Sequence, residues 1–469
     1  MAKLKIVSGL TGLKLDDLVQ RENARRIRAL VQVSAASLMA MVFAVGLAIY
    51  ANDRRLEAIE QRAVAEQESA TARAVSDFLV NIFSSARSIE TNPNAVTARS
   101  ILDRGAQRVT VELEGQPEVK HRLSETIALA YNNLGLFDQA IDILNQTASL
   151  TDTAGASALS IKAEALFRKG ELEAAMDAIA QATRLLERLP KEDSVQASAR
   201  VQANTERIKA LIHYQRGEHE KGLIAFERAI LALETLPETE QLALANILQN
   251  RALLLSDMGE FTRAGNDLDK ARTLVLANAG EKDILLGQIA LARAQVDFLG
   301  GDIENALTQI NRALEVMDRI LEQDNPTLAD ALSMKGQILH AMGQLDDAEK
   351  ALMASVDVYN NAYGGRHYLS GIAEVYLGLI AGEQNDLTKA LMHFEEAKRH
   401  YDAGYGGVHP NHGDLLVNQA IVLAAFGDNE LAEENCAQGM SILNETLGES
   451  AAFTQQLQKV CDDINTGPE

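Results

Sequence analysis

Few side chains in this 469-residue chain are spaced for chemistry. His409 and His412 stand three apart, a separation at which two imidazoles could share a metal. They flank Pro410 in a turn, however, and no carboxylate or thiol set accompanies them. The only cysteines, Cys436 and Cys461, lie 12 residues before and 13 after Gly448. In an antiparallel hairpin turning at Gly448 they would stand at similar height, and an oxidising compartment would allow a disulfide that locks the closing helix. The alternative is that Cys436 is a buried thiol and Cys461 incidental. The 66 Asp and Glu residues form no recognisable acid/base pair. No Gly-rich loop ends in Lys-Ser/Thr, and no His-Glu-x-x-His pair occurs. The glycine pairs lie in turns with no strand in front, so they are not dinucleotide fingerprints. The chain is therefore expected to be no enzyme and to hold no metal or cofactor. The most regular chemical signal is a series of cations: Lys162, Lys209, Arg251, Arg293 and Lys335, spaced by 47 and then by 42 residues.

That spacing belongs to the whole chain. Gly217, Gly259, Gly301, Gly343, Asn385 and Gly427 follow one another at 42-residue intervals, and Gly170 and Gly135 extend the series with gaps of 47 and 35. A fixed period of this length means stacked supersecondary units. Aligned on this anchor, three columns hold only small residues. Seven before it stand Ala128, Ala163, Ala210, Ala252, Ala294, Gly336, Gly378 and Ala420. The columns five and twelve after it are small as well, as in Ala264 and Ala271. The column nine after it is large or apolar, from Leu144 and Phe226 to Phe394 and Cys436. Both flanks of the anchor are rich in strong helix formers. The pattern reads as a helical hairpin. Small residues let two antiparallel helices approach, the large residue fills the space between repeats, and the anchor ends the first helix in the left-handed conformation.

The small residue before the turn glycine and the small-large-small run after it resemble the tetratricopeptide repeat. Its common form has about 34 residues; the longer spacing here is similar to the 42-residue variety of the kinesin light chain family. That family often carries Gly and His-Pro in the inter-repeat turn. Here Tyr363-Gly364-Gly365-Arg366-His367 recurs as Tyr405-Gly406-Gly407-Val408-His409-Pro410, with Asn325-Pro326 in the same slot one repeat earlier. Armadillo and HEAT repeats have similar periods but do not explain the three small columns. The resemblance implies an all-α, right-handed superhelix of about eight hairpins over residues 119–449, after a capping region at 91–118 and before a closing helix and tail at 450–469. In such repeats the first helices line the concave face. The cation series, eight before the anchor, would then form a basic ladder holding the acidic tail or backbone of a peptide. Alternatively, each cation pairs with a carboxylate on a neighbouring helix and lays its stem over apolar surface. Asn132, Tyr214, Gln295, Gln337, His340 and Asn418 are further candidates for that groove.

The front of the chain differs. Residues 29–50, ALVQVSAASLMAMVFAVGLAIY, carry no charge and are long enough to cross a bilayer as one helix. A buried core helix or a cleaved signal peptide are the alternatives, but the run is long for a signal core and 28 residues precede it. Before it lie Lys14, Arg21, Arg25, Arg26 and Arg28; after it, Arg54, Arg55 and Arg62. The positive excess puts the tail, 1–28, in the cytoplasm and the repeats outside, in a periplasm if the cell is Gram-negative. Residues 51–90 read as a helical stalk, charged at first and then apolar at Val75, Phe78, Leu79 and Ile82, docking onto the first repeat. The a/d pattern fails at Glu66, which favours a monomeric stalk.

VSDFLVNIF, AVTARSILDRGAQRV and PEVKHRLSETIALAYNNLGLFDQA resemble the region that follows the kinase domain in bacterial membrane-spanning serine/threonine kinases. KLKIVSGLTGLKLDDLVQRE is similar to the juxtamembrane piece of bacterial Toll/interleukin-receptor-like sensors. Twenty-eight residues cannot fold as either domain, which implies a natural short form, a decayed copy or a late start codon.

Net charge is −22; residues 1–28 contribute +4, leaving −26 for the rest. An acidic array of this kind repels nucleic acid. The expected function is protein or peptide binding by a membrane-anchored scaffold or sensory ectodomain. The rivals are a subunit or remnant of a kinase or Toll-like signalling system and a periplasmic chaperone.

Overall fold

The computed structural model describes residues 98–466, apart from 114, 147–152, 189–194, 235, 237–239, 364, 406–407 and 450–451, together with a discontinuous subset of residues 19–80. Among the described residues all regular structure is helical. The chain divides into two compact units, Met1–Ile127 and Ala128–Glu469.

In the first unit, helix α1 (Ala98–Glu112) is followed by the start of α2 (Pro117–Asn133). Phe78, in the apolar part of the stretch expected to be a stalk, is buried, and the Arg108 guanidinium lies over its ring at 5.3 Å. Val75, Leu79 and Ile82 lie outside the described residues, as does Glu66, where the stalk's heptad pattern breaks. The span expected at 29–50 is described only in part. Its described residues are helical, and among the described residues no helix is long and apolar enough to cross a membrane.

In the second unit the hairpins follow one another without interruption. They are α2/α3 (Phe137–Asn145), α4/α5 (Thr153–Lys169, Leu172–Arg188), α6/α7 (Val195–Gln215, His219–Glu234) and α8/α9 (Gln241–Asp257, Phe261–Asn278). Then come α10/α11 (Ile284–Leu299, Ile303–Asp318), α12/α13 (Pro326–Ala341, Leu345–Tyr363), α14/α15 (Tyr368–Glu383, Leu387–Tyr405) and α16/α17 (Pro410–Ala425, Asn429–Thr446). Helix α18 (Ala452–Thr466) closes the stack. Every anchor residue has positive φ, including Asn385 at 63°. At Gly259 the turn is sealed by two backbone bonds, Gly259 N–H to Ser256 C=O at 2.9 Å and Glu260 N–H to Leu255 C=O at 2.8 Å. This is the Schellman pattern, which satisfies the last carbonyls of the first helix.

The small columns sit where the helices of a hairpin touch. Ala252, Ala264 and Ala271 are completely buried, as are their equivalents in the neighbouring repeats. At Gly378 a Cβ would lie 2.7 Å from the Phe394 ring, so the helix approach there needs glycine. A second small-against-large pairing, not anticipated from the repeat alignment, closes the other end of each hairpin. Gly287, Gly371 and Gly413 meet Met317, Tyr401 and Leu443, and Ala245 and Ala329 occupy the same column, with Val275 and Tyr359 in the column of the large partners. All five large residues are buried. A Cβ on Gly371 would fall 2.4 Å from the Tyr401 ring.

The first helices of four consecutive repeats start on a cap from one column: Asp283, Asn325, His367 and His409. Each side chain accepts from the backbone N–H two residues on, which satisfies one of the orphan donors of the first turn. Histidine is the unusual member. His367 and His409 accept through Nδ1, at 3.4 Å and 3.2 Å. The Tyr363 and Tyr405 rings stack on them, with centroids 3.9 Å and 3.6 Å away.

Candidate functional site

Successive first helices from α4 onward pack on one another more closely than successive second helices do, so the row of first helices takes the inside of the curve. Each first helix turns its small column toward its own second helix. The open side is then the stripe thirteen, nine, six and two residues before the anchor, which shares one helix face. From α8 to α16 every position of this stripe except Ala292 is at least partly exposed. We call it the inner wall.

The polar residues singled out from the sequence fall on or beside this wall, with different fates. The Tyr214 hydroxyl donates to Asp257 Oδ2 at 2.5 Å, and the His340 ring meets Glu383 Oε1 at 2.7 Å. Both bonds join successive first helices and act as rungs between them. Gln337 Nε2 donates to Ser333 Oγ at 3.4 Å. Asn418 Nδ2 donates to the Asp414 carbonyl at 2.9 Å and to its carboxylate at 3.0 Å. Gln295 is half-buried on the same stripe. Asn132 is different: it is 2% exposed, its Nδ2 donates to Ile161 C=O and its backbone carbonyl accepts from Arg168 at 2.9 Å. It ties helices together and offers little to a ligand.

The cation series lies about 100° round the helix from the wall and, apart from Lys209, meets second helices. Arg251 is bound bidentately by Asp267 of α9, with both contacts at 2.7 Å and both side chains largely buried. Arg293 reaches Asp297 at 2.8 Å and Asp269 of α9 at 3.2 Å. Lys162 Nζ donates to Asn145 of α3 at 2.7 Å, and Lys209 lies 3.8 Å from Glu206. The Lys335 charge adds to that of Lys350 in holding the Asp347 carboxyl below its ordinary range. The cations thus have carboxylate or amide neighbours on the protein itself, and at Arg251 and Arg293 the ion pairs account for the residue.

Three carboxylates on the wall are unusual: burial raises Asp257, against the Tyr214 hydrogen bond and the His219 charge, and it raises two more. Asp414 is recessed between helices, and burial pushes its pKa up to about 6, with only the Asn418 amide opposing the shift. Asp330 is also raised by burial, against a hydrogen bond from the Tyr359 hydroxyl. The Tyr376 phenol, on the wall beside them, is pushed up to about 12 by burial and then by the Asp414 charge. This is the desolvation effect: a carboxylate taken out of water without a counter-cation resists ionisation.

His409 and His412 act as caps. His412 Nδ1 accepts from the His409 backbone N–H at 3.2 Å, and its Nε2 faces Asp402. Among the described residues no group of three metal-ligating side chains converges. Cys436 and Cys461 are joined by a disulfide with Cα atoms 5.6 Å apart, tying α17 to α18.

The tetratricopeptide repeat family matches this chain three times in overlap, over residues 285–361, 327–403 and 369–445. Residues 285–445 are tetratricopeptide repeats. No curated protein matches the sequence. Among solved structures, this chain is similar to a Rap protein complexed with competence and sporulation factor, at 13% identity and a TM-score of 0.49, over 74% of this chain and 99% of that one. A signal transduction ATPase with a tetratricopeptide repeat sensor from Pyrococcus horikoshii is similar at 15% identity and a TM-score of 0.46, over 75% of this chain and 52% of that one. A putative kinesin light chain from Podosopora anserina with nearly identical TPR-like repeats is similar at 15% identity and a TM-score of 0.35, over 43% and 95%.

Proposed function

We propose that the tetratricopeptide repeats bind an extended protein segment along the inner wall, and that residues 29–50 tether them to a membrane. The observation that carries the first part is the wall itself. Its stripe runs over five consecutive first helices, stays accessible, and alternates amides and carboxylates with Leu253, Leu291 beside it, Met334, Tyr376, Leu379 and Ile421. An extended chain laid across such helices would find hydrogen-bonding groups and apolar pockets at a repeating interval, which is how stacked repeats present long binding surfaces. Little rearrangement of the stack is needed, because the rungs and ion pairs already hold its helices.

Two features support the tether. The run 29–50 carries no charge, and its described apolar side chains, such as Leu38 at 66% and Phe43 at 70%, are exposed. A helix apolar on every side needs an apolar surrounding. The disulfide Cys436–Cys461 supports placing the repeats in an oxidising compartment, on the far side of the membrane from the basic tail.

A crosslinking pulldown from membranes tests the reading. Q337R with N418R should abolish capture of whatever the wild type retains, while D357R on an exposed second-helix position should not. Equal capture by all three proteins would overturn the assignment of binding to the wall.

A further inference from the structure

The inner wall has a one-sided charge. Across its stripe from α8 to α16 stand Asp257, Asp330, Glu383 and Asp414, and not one Lys or Arg. Elsewhere in the stack, buried or half-buried carboxylates meet cations: Asp267 meets Arg251, Glu164 meets Arg207 and Glu349 meets Lys389. On the wall the partners are neutral for three of the four. Asp257 accepts from the Tyr214 hydroxyl, Asp330 from the Tyr359 hydroxyl and Asp414 from the Asn418 amide, while Glu383 faces the His340 ring. Each carboxylate has two oxygens and room for more than one donor, so acceptor capacity is left over.

A second observation points the same way. On α8, next to this stripe, Ser256 is 3% exposed and its Oγ has no hydrogen-bond partner; the Oε1 of Gln249 is buried and unpartnered too. A buried polar atom without a partner is costly and uncommon. The α8 portion of the wall therefore combines a carboxylate whose hydrogen-bond partner is neutral, with only the His219 charge acting on it besides, and buried oxygens that lack donors.

We infer that the inner wall from α8 to α16 takes a cationic segment, a stretch of polypeptide whose Lys or Arg side chains reach Asp257, Asp330 and Asp414 while its apolar side chains lie on Tyr376, Leu379 and Ile421. The inference rests on the wall being the binding surface and adds the chemistry of what it binds. A lysine or arginine supplies both missing things, positive charge and hydrogen-bond donors, and relieves the desolvation of the recessed carboxylates. An acidic segment would instead add like charge to these same groups.

The test uses the full-length protein and three fluorescein-labelled heptapeptides of alternating Leu with Lys, with Gln or with Glu. Two triple variants remove the same charge. D257N, D330N and D414N alter the wall; E304Q, D357N and E430Q alter exposed positions on second helices. The Lys peptide should bind most tightly. The wall triple should lose about tenfold or more in affinity for it and the outer triple under about twofold, since dispersed surface charges contribute little each. Equal losses in the two triples would mean general attraction to an acidic protein and would overturn the inference. If the Gln or Glu peptide binds best and only the wall triple loses it, the wall remains the binding surface and the cationic assignment falls. If no peptide responds to the wall triple, both fall. Thermal melts of each triple confirm that a loss of binding is not a loss of fold.

Discussion

The Tyr405 ring lies flat on the His409 imidazole, centroids 3.6 Å apart and planes within 3°, while the other side of the business, His409 Nδ1, caps helix α16 by accepting the Asn411 N–H. Tyr363 and His367 repeat the arrangement one repeat earlier. His400 Nδ1 accepts the His367 N–H in turn. All three rings must be neutral at Nδ1 to accept. Burial lowers the pKa of His367, His400 and His409, with a neighbouring histidine adding to the effect at His367 and His409. For His400, Glu374 and Glu396 pull the other way and Arg366 reinforces the lowering. A depressed histidine is protonated first in the unfolded chain. Its stabilising contribution is present above about pH 6.5 and is lost as pH falls through the lower folded value. Replacing both caps as H367N/H409N keeps an acceptor, as Asn325 does, and removes the titration. Thermal melts at pH 7.5 and 5 should show a smaller drop in the double variant than in the wild type. An equal or larger drop would rule out the caps as the source.

Asp414 carries the opposite sign. Its folded pKa, about 6, is above the ordinary carboxylate range, so its contribution is favourable below about pH 4 and is lost as pH rises through 6. At neutral pH the ionised, recessed carboxylate is a cost. D414N should therefore gain roughly 1–2 kcal/mol in urea unfolding at pH 7.5, discounted for partial exposure, and close to nothing at pH 4. Destabilisation at pH 7.5 would show that Asp414 has a cationic partner in the free protein.

Arg251 and Asp267 are a different case, because each answers the other. D267A leaves the Arg251 guanidinium half-enclosed without its carboxylate and should cost roughly 2–4 kcal/mol. R251M/D267M, which fills the space with apolar chains, should recover most of that. Chemical denaturation of the single and double variants measures it; additive losses would mean that the two side chains act independently.

At Gly378 the prediction concerns packing. G378A places a Cβ 2.7 Å from the Phe394 ring and should cost about 1–3 kcal/mol. Adding F394I copies the Ala294 and Ile310 pair of an earlier repeat and should restore part of it. A G378A protein as stable as wild type would show that the hairpin can open at no cost.

Much of this architecture is legible in the residues alone, for physical reasons that differ by column. The anchor is readable because positive φ admits little besides glycine and asparagine, so Asn385 keeps the place. The small columns are readable because close helix contact forbids bulk in every repeat. The pairing of Gly371 with Tyr401 is harder to see, since its large partners run through Val, Met, Tyr and Leu and share only size and burial. The cap column hides for a similar reason: Asp283, Asn325 and His367 share an acceptor atom and no other chemistry. The cation series shows most clearly where one sequence stops. Its period is plain, but Asp267 lies 16 residues beyond Arg251 on another helix, and only the hairpin brings them together. The inner wall is likewise invisible until the helix faces are assigned, although the repeat alignment alone points to its Gln295, Gln337 and Asn418.

The most direct measurement is photo-crosslinking in native membranes with a benzophenone side chain placed one position at a time. Partner adducts are expected from Gln337, Leu379 and Asn418 on the inner wall and none from Glu304 or Asp357 on the second helices. Adducts from the second helices alone would contradict binding at the wall.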